Sequence, residues 1–222
     1  IRDVYKRQGL FGIDWGVKTP ATTTNPDFNL GYTPRVKDNA KALAKYQKRM
    51  AKHRSSKQWA EYRKAKKKAA KLQRRVKNQR KEQSRKWAQR VAKSHAVIAM
   101  EDFKPKFLAA NKTLAKKASE NAIGMTQREL QEAAKTYGCN FILVDPKYTT
   151  MDCSQCGARL KTKLELHVRT YQCEQCDMTL DRDVNAARNM LIRAGFNPAD
   201  GDDCKTKRHR VSGHFESGIP RL

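Results

Sequence analysis

Two Cys-x-x-Cys pairs, Cys153/Cys156 and Cys173/Cys176, are separated by 16 residues, and nothing else in the chain narrows its folding options as much. Four thiolates at this spacing close tetrahedrally around one Zn²⁺. The segment between them must then be a small module organised by metal rather than by a core. Gly157 follows the first pair, where a tight turn is needed, and "LKTKLELHVRTYQ" reads as a short hairpin. A shell filled by four sulfurs has no open position, so the expected zinc is structural. His167 is read as an exposed loop residue, Cys139 as a buried residue at the start of a strand, and Cys204 as a free thiol in a polar tail. No run approaches 18 apolar residues and no signal-type segment is evident, so the expected localisation is cytoplasmic, with no membrane partner. A reducing compartment favours metal over disulfides for such pairs.

The formal charge of +26 over 222 residues is concentrated in one stretch. Residues 35–93 carry 24 of the 48 lysines and arginines against three acids, Asp38, Glu61 and Glu82. Within that stretch apolar residues recur at Val36, Ala40, Leu43 and Met50, and again at Trp59, Tyr62, Ala69, Leu72, Val76 and Trp87. Steps of three, four and seven predict one apolar stripe on each of two helices. "HRSSK", 53–57, is the expected turn of this antiparallel hairpin; Trp59, Tyr62 and Trp87 are of a type that stacks on bases, but they fall on the apolar stripe and are read as core residues. A solvated helix face normally mixes signs along i,i+4 pairs. Here almost no acids are present to pair, which makes the hairpin a phosphate-contacting arm and nucleic acid the expected partner.

The remaining sequence alternates strand and helix. "LFGIDWGVKTPATTT" reads as two strands around a glycine turn, with "FNLGY" as a third. "HAVIAMEDF" and "CNFILVDPKY" are apolar runs of the buried-strand type, and helical patterns lie between them, stopped by Gly138. The last helix, "VNAARNMLIRAG", presents Val184, Ala187, Leu191 and Ala194 as its apolar face. The predicted core is α/β.

Three carboxylates stand at element ends: Asp14 after "LFGI", Glu101 after "VIAM", and Asp183 at the start of the last helix. Singly, each has a bland reading as a solvated acid or an N-cap. Together they match what divalent metal ions need in order to orient a water toward a phosphodiester. Mg²⁺ takes hard oxygen ligands and keeps several waters, so a few acids at a sheet edge suffice.

"GIDWG", "IAMEDF" and "DRDVNAARN", with the four-cysteine module inserted before the last, resemble the split RuvC nuclease domain of TnpB proteins. These are insertion-sequence-encoded, RNA-guided DNA endonucleases related to compact type V CRISPR effectors. The resemblance spans roughly residues 10–196. It implies an RNase H-like fold with a basic helical hairpin insertion and an inserted zinc ribbon. It also implies Asp14, Glu101 and Asp183 as catalytic residues holding two Mg²⁺, structural Zn²⁺ on the four cysteines, and guide RNA and target DNA as partners. Asp181 shares the last motif; Asp183 is preferred because it directly precedes the "xNAA" start of the helix.

The corresponding organisation is a polar lead-in at 1–9, nuclease segments at 10–34, 95–149 and 180–196, the hairpin at 35–94, the ribbon at 150–179 and a disordered tail at 197–222. The lead-in "IRDVYKRQ" reads either as a translated sequencing adapter or as a flexible terminus. No counterpart of the family's N-terminal barrel and helical lobe is recognised, so the chain is expected to be the C-terminal half. Two other functions fit the same residues: a non-cleaving binder built from ribbon and hairpin, and transposase-type strand transfer.

Overall fold

The computed structural model describes residues 9–16, 19–31, 36–102, 122–165 and 167–197, with the side chains of 36–38 excepted. The lead-in, most of the helical pattern expected before Gly124, Cys204 and nearly all of the tail lie outside these residues. The fold is mixed α/β. Strand β1 (Gly9–Trp15) pairs antiparallel with the short β2 (Ala21–Thr23) on one side and parallel with β3 (His95–Glu101) on the other. Strand β4 (Asn140–Val144) extends the sheet parallel to β3, giving the order β2-β1-β3-β4.

"FNLGY" forms no third strand among the described residues. Pro26 starts a single 3-10 turn over Pro26–Phe28 capped by Asn25, and only Leu30 bridges back to Ala21. Proline supplies no ladder donor, and the Asn25 side chain offers the next backbone amides a competing turn. The apolar run at 140–144 is therefore the fourth strand of the sheet, where five had been expected.

The basic region folds as the predicted hairpin of α1 (Val36–Ser55) and α2 (Trp59–Ser94), with the turn at 56–58 and Lys57 at φ 54°. The aromatic stripe is corrected in part. Trp87 is buried and donates its indole N–H to the Phe28 carbonyl at 2.6 Å, but Trp59 is 54% exposed and packs edge-on against Tyr62. The reason is length. Only the last third of α2 reaches the sheet, where Trp87, Ala88, Val91 and Ala92 join Phe11, Ile13, Ile98 and Met100. Trp59 opens α2 at the far end, where α1 is the neighbouring element among the described residues.

Helix α3 (Ile123–Tyr137) buries Leu130, Ala133 and Ala134 in the same cluster and ends at Gly138 in the left-handed region. Cys139 is half-buried and donates its thiol hydrogen to the Ala92 carbonyl at 3.0 Å. Helix α4 (Arg182–Arg193) covers the opposite face of the sheet, with Met190 and Leu191 against Ala99 and Val144. Approach there is close. A β-carbon on Gly12 would stand 2.0 Å from the Ala187 carbonyl oxygen, so only glycine lets α4 lie on β1.

Candidate functional site

Alternation along the two central parallel strands decides where the first two acids point. Ile13 pairs with Met100, and both enter the core beneath α2. Gly12 pairs with Ala99 on the other face, under α4. Asp14 and Glu101 are one residue further along each strand and so return to the α4 face, side by side at its edge.

The third acid comes from α4 itself. Asp181 caps the helix, its Oδ1 accepting the backbone N–H groups of Asp183 at 2.9 Å and Val184 at 3.1 Å. The N-cap expected for an acid here is therefore Asp181, while the Asp183 side chain projects from the first turn. Arg169, directly before the strand at Thr170–Gln172, donates to Asp183 Oδ2 at 3.1 Å. Sequence reasoning missed Arg169, whose partner lies 14 residues away with the second cysteine pair between them.

The acids act on one another electrostatically. Asp14 is only 8% exposed. Burial pushes its carboxyl well above the usual range, and the charges of Glu101, Asp183 and Asp181 push it further, with Arg182 opposing. Burial likewise pushes Glu101 up to about 7. Buried like charges of this kind are relieved by protons or by a cation. Any cation held by these three side chains would meet carboxylate oxygen alone, the donor type that suits Mg²⁺ or Mn²⁺ rather than a soft metal.

A carboxyl whose pKa is raised on folding holds its proton more tightly in the folded chain. Its contribution to stability is present at low pH and is lost as pH rises from the unfolded value of 4.5 through about 7. Without divalent ions, Glu101→Gln is therefore expected to raise the melting temperature at pH 8. The ceiling is about 3 kcal/mol, the free energy of a shift of that size. Near pH 5 the gain should shrink toward zero. Calorimetric melts of both proteins from pH 5 to 8 check this; an equal gain at every pH would trace to packing instead.

The four cysteines form a second centre. Their sulfurs all lie within 4.8 Å of one another, with Cys153–Cys176 at 3.7 Å and Cys156–Cys173 at 3.6 Å. Tetrahedral Zn–S bonds of about 2.3 Å put sulfurs about 3.8 Å apart, whereas a disulfide needs about 2.05 Å. The residues present thus fit zinc. Backbone N–H groups of Gln175 and Cys176 pull the Cys173 thiol down to about 7, whereas burial and the neighbouring sulfurs push Cys176 up to about 12, so the four thiols do not ionise alike without a cation to share. Gly157 takes φ 76° in the first knuckle. His167 is exposed beside Glu165 and is not part of the cluster. The hairpin expected within 160–172 forms instead across the second knuckle, pairing β5 (Thr170–Gln172) with β6 (Thr179–Asp181). Strand β6 runs into α4 without a linker, which joins the two centres.

Residues 4–124 match the family model OrfB_IS605, described as a probable transposase, and residues 124–190 match the Cas12f1-like TNB domain. A putative RNA-guided DNA endonuclease of Streptomyces pristinaespiralis is 30% identical over 222 residues, covering 95% of this chain and 54% of that protein. The putative RNA-guided DNA endonuclease InsQ of Escherichia coli K12 is 27% identical over 206 residues, covering 85% and 50%. Among solved structures, a chain of a CRISPR-Cas12f ternary complex superposes with TM-score 0.62 at 21% identity, covering 86% of this chain and 40% of that one. The chain spans about half the length of the curated relatives it matches.

Proposed function

The chain belongs to the OrfB_IS605 family and is TnpB-like, and from that premise we propose that it carries the nuclease centre of an RNA-guided DNA endonuclease. The observation that supports this most is the convergence of Asp14, Glu101 and Asp183, from three distant parts of the sequence, at one edge of the sheet beneath α4. The core is RNase H-like in this reading, with Asp14, Glu101 and Asp183 as catalytic residues. Two Mg²⁺ held there would supply the Lewis acidity that generates a hydroxide nucleophile and neutralises the leaving oxygen of a phosphodiester. The four cysteines hold structural Zn²⁺.

The chain's own residues have definable tasks. Asp14, almost fully buried, fixes the inner wall of the site. Glu101, pushed up to about 7 by burial, holds a proton near neutral pH until a cation takes its place. Arg169 neutralises Asp183 meanwhile. The α1–α2 hairpin, lined with Lys64, Lys67, Lys71 and Arg75, offers an extended cationic surface to phosphate backbones. Guide RNA and target DNA are the proposed partners of the full-length protein.

The reading is tested by incubating the chain with labelled single-stranded DNA, with Mg²⁺ or with EDTA, alone and joined to its upstream domain and guide RNA. Cutting that requires Mg²⁺ supports it. Tight binding with no cutting in any combination would favour a non-cleaving binder.

A further inference from the structure

Helix α4 carries two asparagines that no catalytic or metal-binding task accounts for. Asn185 is fully buried and Asn189 is 3% exposed, an unusual state for this residue type. Both face the first cysteine knuckle. Asn185 Oδ1 accepts the Ser154 backbone N–H at 3.0 Å, and its Nδ2 donates to the Asp152 carbonyl at 2.9 Å. Asn189 Nδ2 donates to the carbonyls of Thr149 at 2.8 Å and Asp152 at 2.7 Å. One turn further on, Arg193 reaches Asp152 Oδ2 at 2.9 Å and the Asp145 carbonyl at 2.7 Å. Positions 185, 189 and 193 lie four residues apart and form one stripe of the helix. That stripe grips the backbone on both sides of the zinc ligand Cys153.

The front of α4 is gripped from the other end of the ribbon. The Arg182 backbone N–H donates to the Arg169 carbonyl at 2.7 Å, and its guanidinium donates to the Glu165 carbonyl at 2.8 Å. Asp183 is the next residue. The neighbouring stripe of α4, with Ala186, Ala187, Met190 and Leu191, is buried against the sheet. The helix is thus wedged between the strands bearing Asp14 and Glu101 and a loop whose shape depends on metal.

We propose that Asn185 and Asn189 are positioning residues that make the placement of Asp183 depend on the zinc-bound first knuckle. This rests on reading the three acids as a divalent-cation site. Such a site tolerates errors of only about 0.5 Å in its ligands. A helix held on the sheet by close contact but released from the knuckle can rotate its first turn by that much. The ribbon then acts as a brace for the third carboxylate, in addition to any contact it makes with nucleic acid.

The test uses the full, zinc-loaded chain. Asn185→Ala, Asn189→Ala and Asp183→Ala are compared by zinc content, thermal melting and Mn²⁺ binding followed by electron paramagnetic resonance. The expected result for each asparagine variant is one zinc per chain, a cooperative melt, and Mn²⁺ affinity weakened roughly tenfold, the size of effect that residues supporting metal ligands produce. Where cleavage is measured, its midpoint in Mn²⁺ should move while the rate at saturating Mn²⁺ changes less. Unchanged Mn²⁺ affinity in both asparagine variants, with Asp183→Ala weakened, would overturn the brace and leave the cation site standing. If Asp183→Ala also binds Mn²⁺ normally, the cation-site reading itself fails. Variants that lose zinc or the melting transition count against the proposal too, because the asparagines would then serve the ribbon's stability and not the carboxylate.

Discussion

Asp14→Ala is expected to reduce Mg²⁺-dependent cleavage by at least about three orders of magnitude while leaving nucleic-acid binding nearly unchanged. The magnitude follows from the several kcal/mol of charge stabilisation a metal site contributes to a transition state, at 1.36 kcal/mol per tenfold in rate. Asp14 is the right residue to change because it is the most buried of the three acids and feels the charges of both others. In the proposed cation site its removal would take away the inner ligand, which water alone could not make good. Folding should survive: the carboxyl is strained by burial, so replacing it relieves a buried like charge. The variant is expected to melt at or above the parent temperature at pH 8 without divalent ions. Binding should persist because the cationic surface lies on α1 and α2, away from the acids. Gel-shift and cleavage assays on the same preparations check both halves. A variant that still cuts in Mg²⁺ would remove Asp14 from the catalytic set, and one that loses binding in parallel would point to a folding defect.

The fold and the site were legible in the sequence to different depths, for physical reasons. Apolar runs such as "HAVIAM" announce a doubly covered strand because both faces are buried, and the observed β3 follows the run. The cysteine spacing specified its centre because metal geometry, not tertiary context, sets it. The carboxylates were legible as strand-end acids, but their convergence is a product of strand register and of the Gly12 contact. What escaped were features whose partners are backbone groups far away in sequence. The expected apolar face of α4 ran through Val184 and Ala194, which are only half-buried, and did not include Asn185 or Asn189. The true interior includes the asparagines, since the surface they meet is a row of carbonyls rather than aliphatic side chains. Trp59 erred the other way: its period placed it on the stripe, but at that end of the hairpin it is 54% exposed.

Stripping the zinc is expected to unfold the ribbon and leave the α/β core standing. The ribbon's interior consists of Tyr171, Cys173 and Cys153, fringed by partly buried residues such as Leu160, Leu164 and Met178. A core that small is well below what a module needs to fold on apolar burial alone. A metal on the four cysteines would supply the missing stabilisation, because its binding energy becomes folding energy when the site does not exist in the unfolded chain. The sheet, in contrast, buries Phe11, Ile13, Ile98, Met100 and Leu130 completely and needs no metal. Hydrogen exchange should separate the two. In apo protein the amides around Tyr171, whose hydroxyl donates to the Met151 carbonyl at 3.1 Å, are expected to lose protection by several orders of magnitude, while those of 95–101 keep theirs. Cys173→Ser should reproduce the pattern without a chelator. A ribbon that stays protected in the apo state would mean that α4 and its asparagines hold the knuckle unaided, and the direction of dependence between the two centres would have to be reversed.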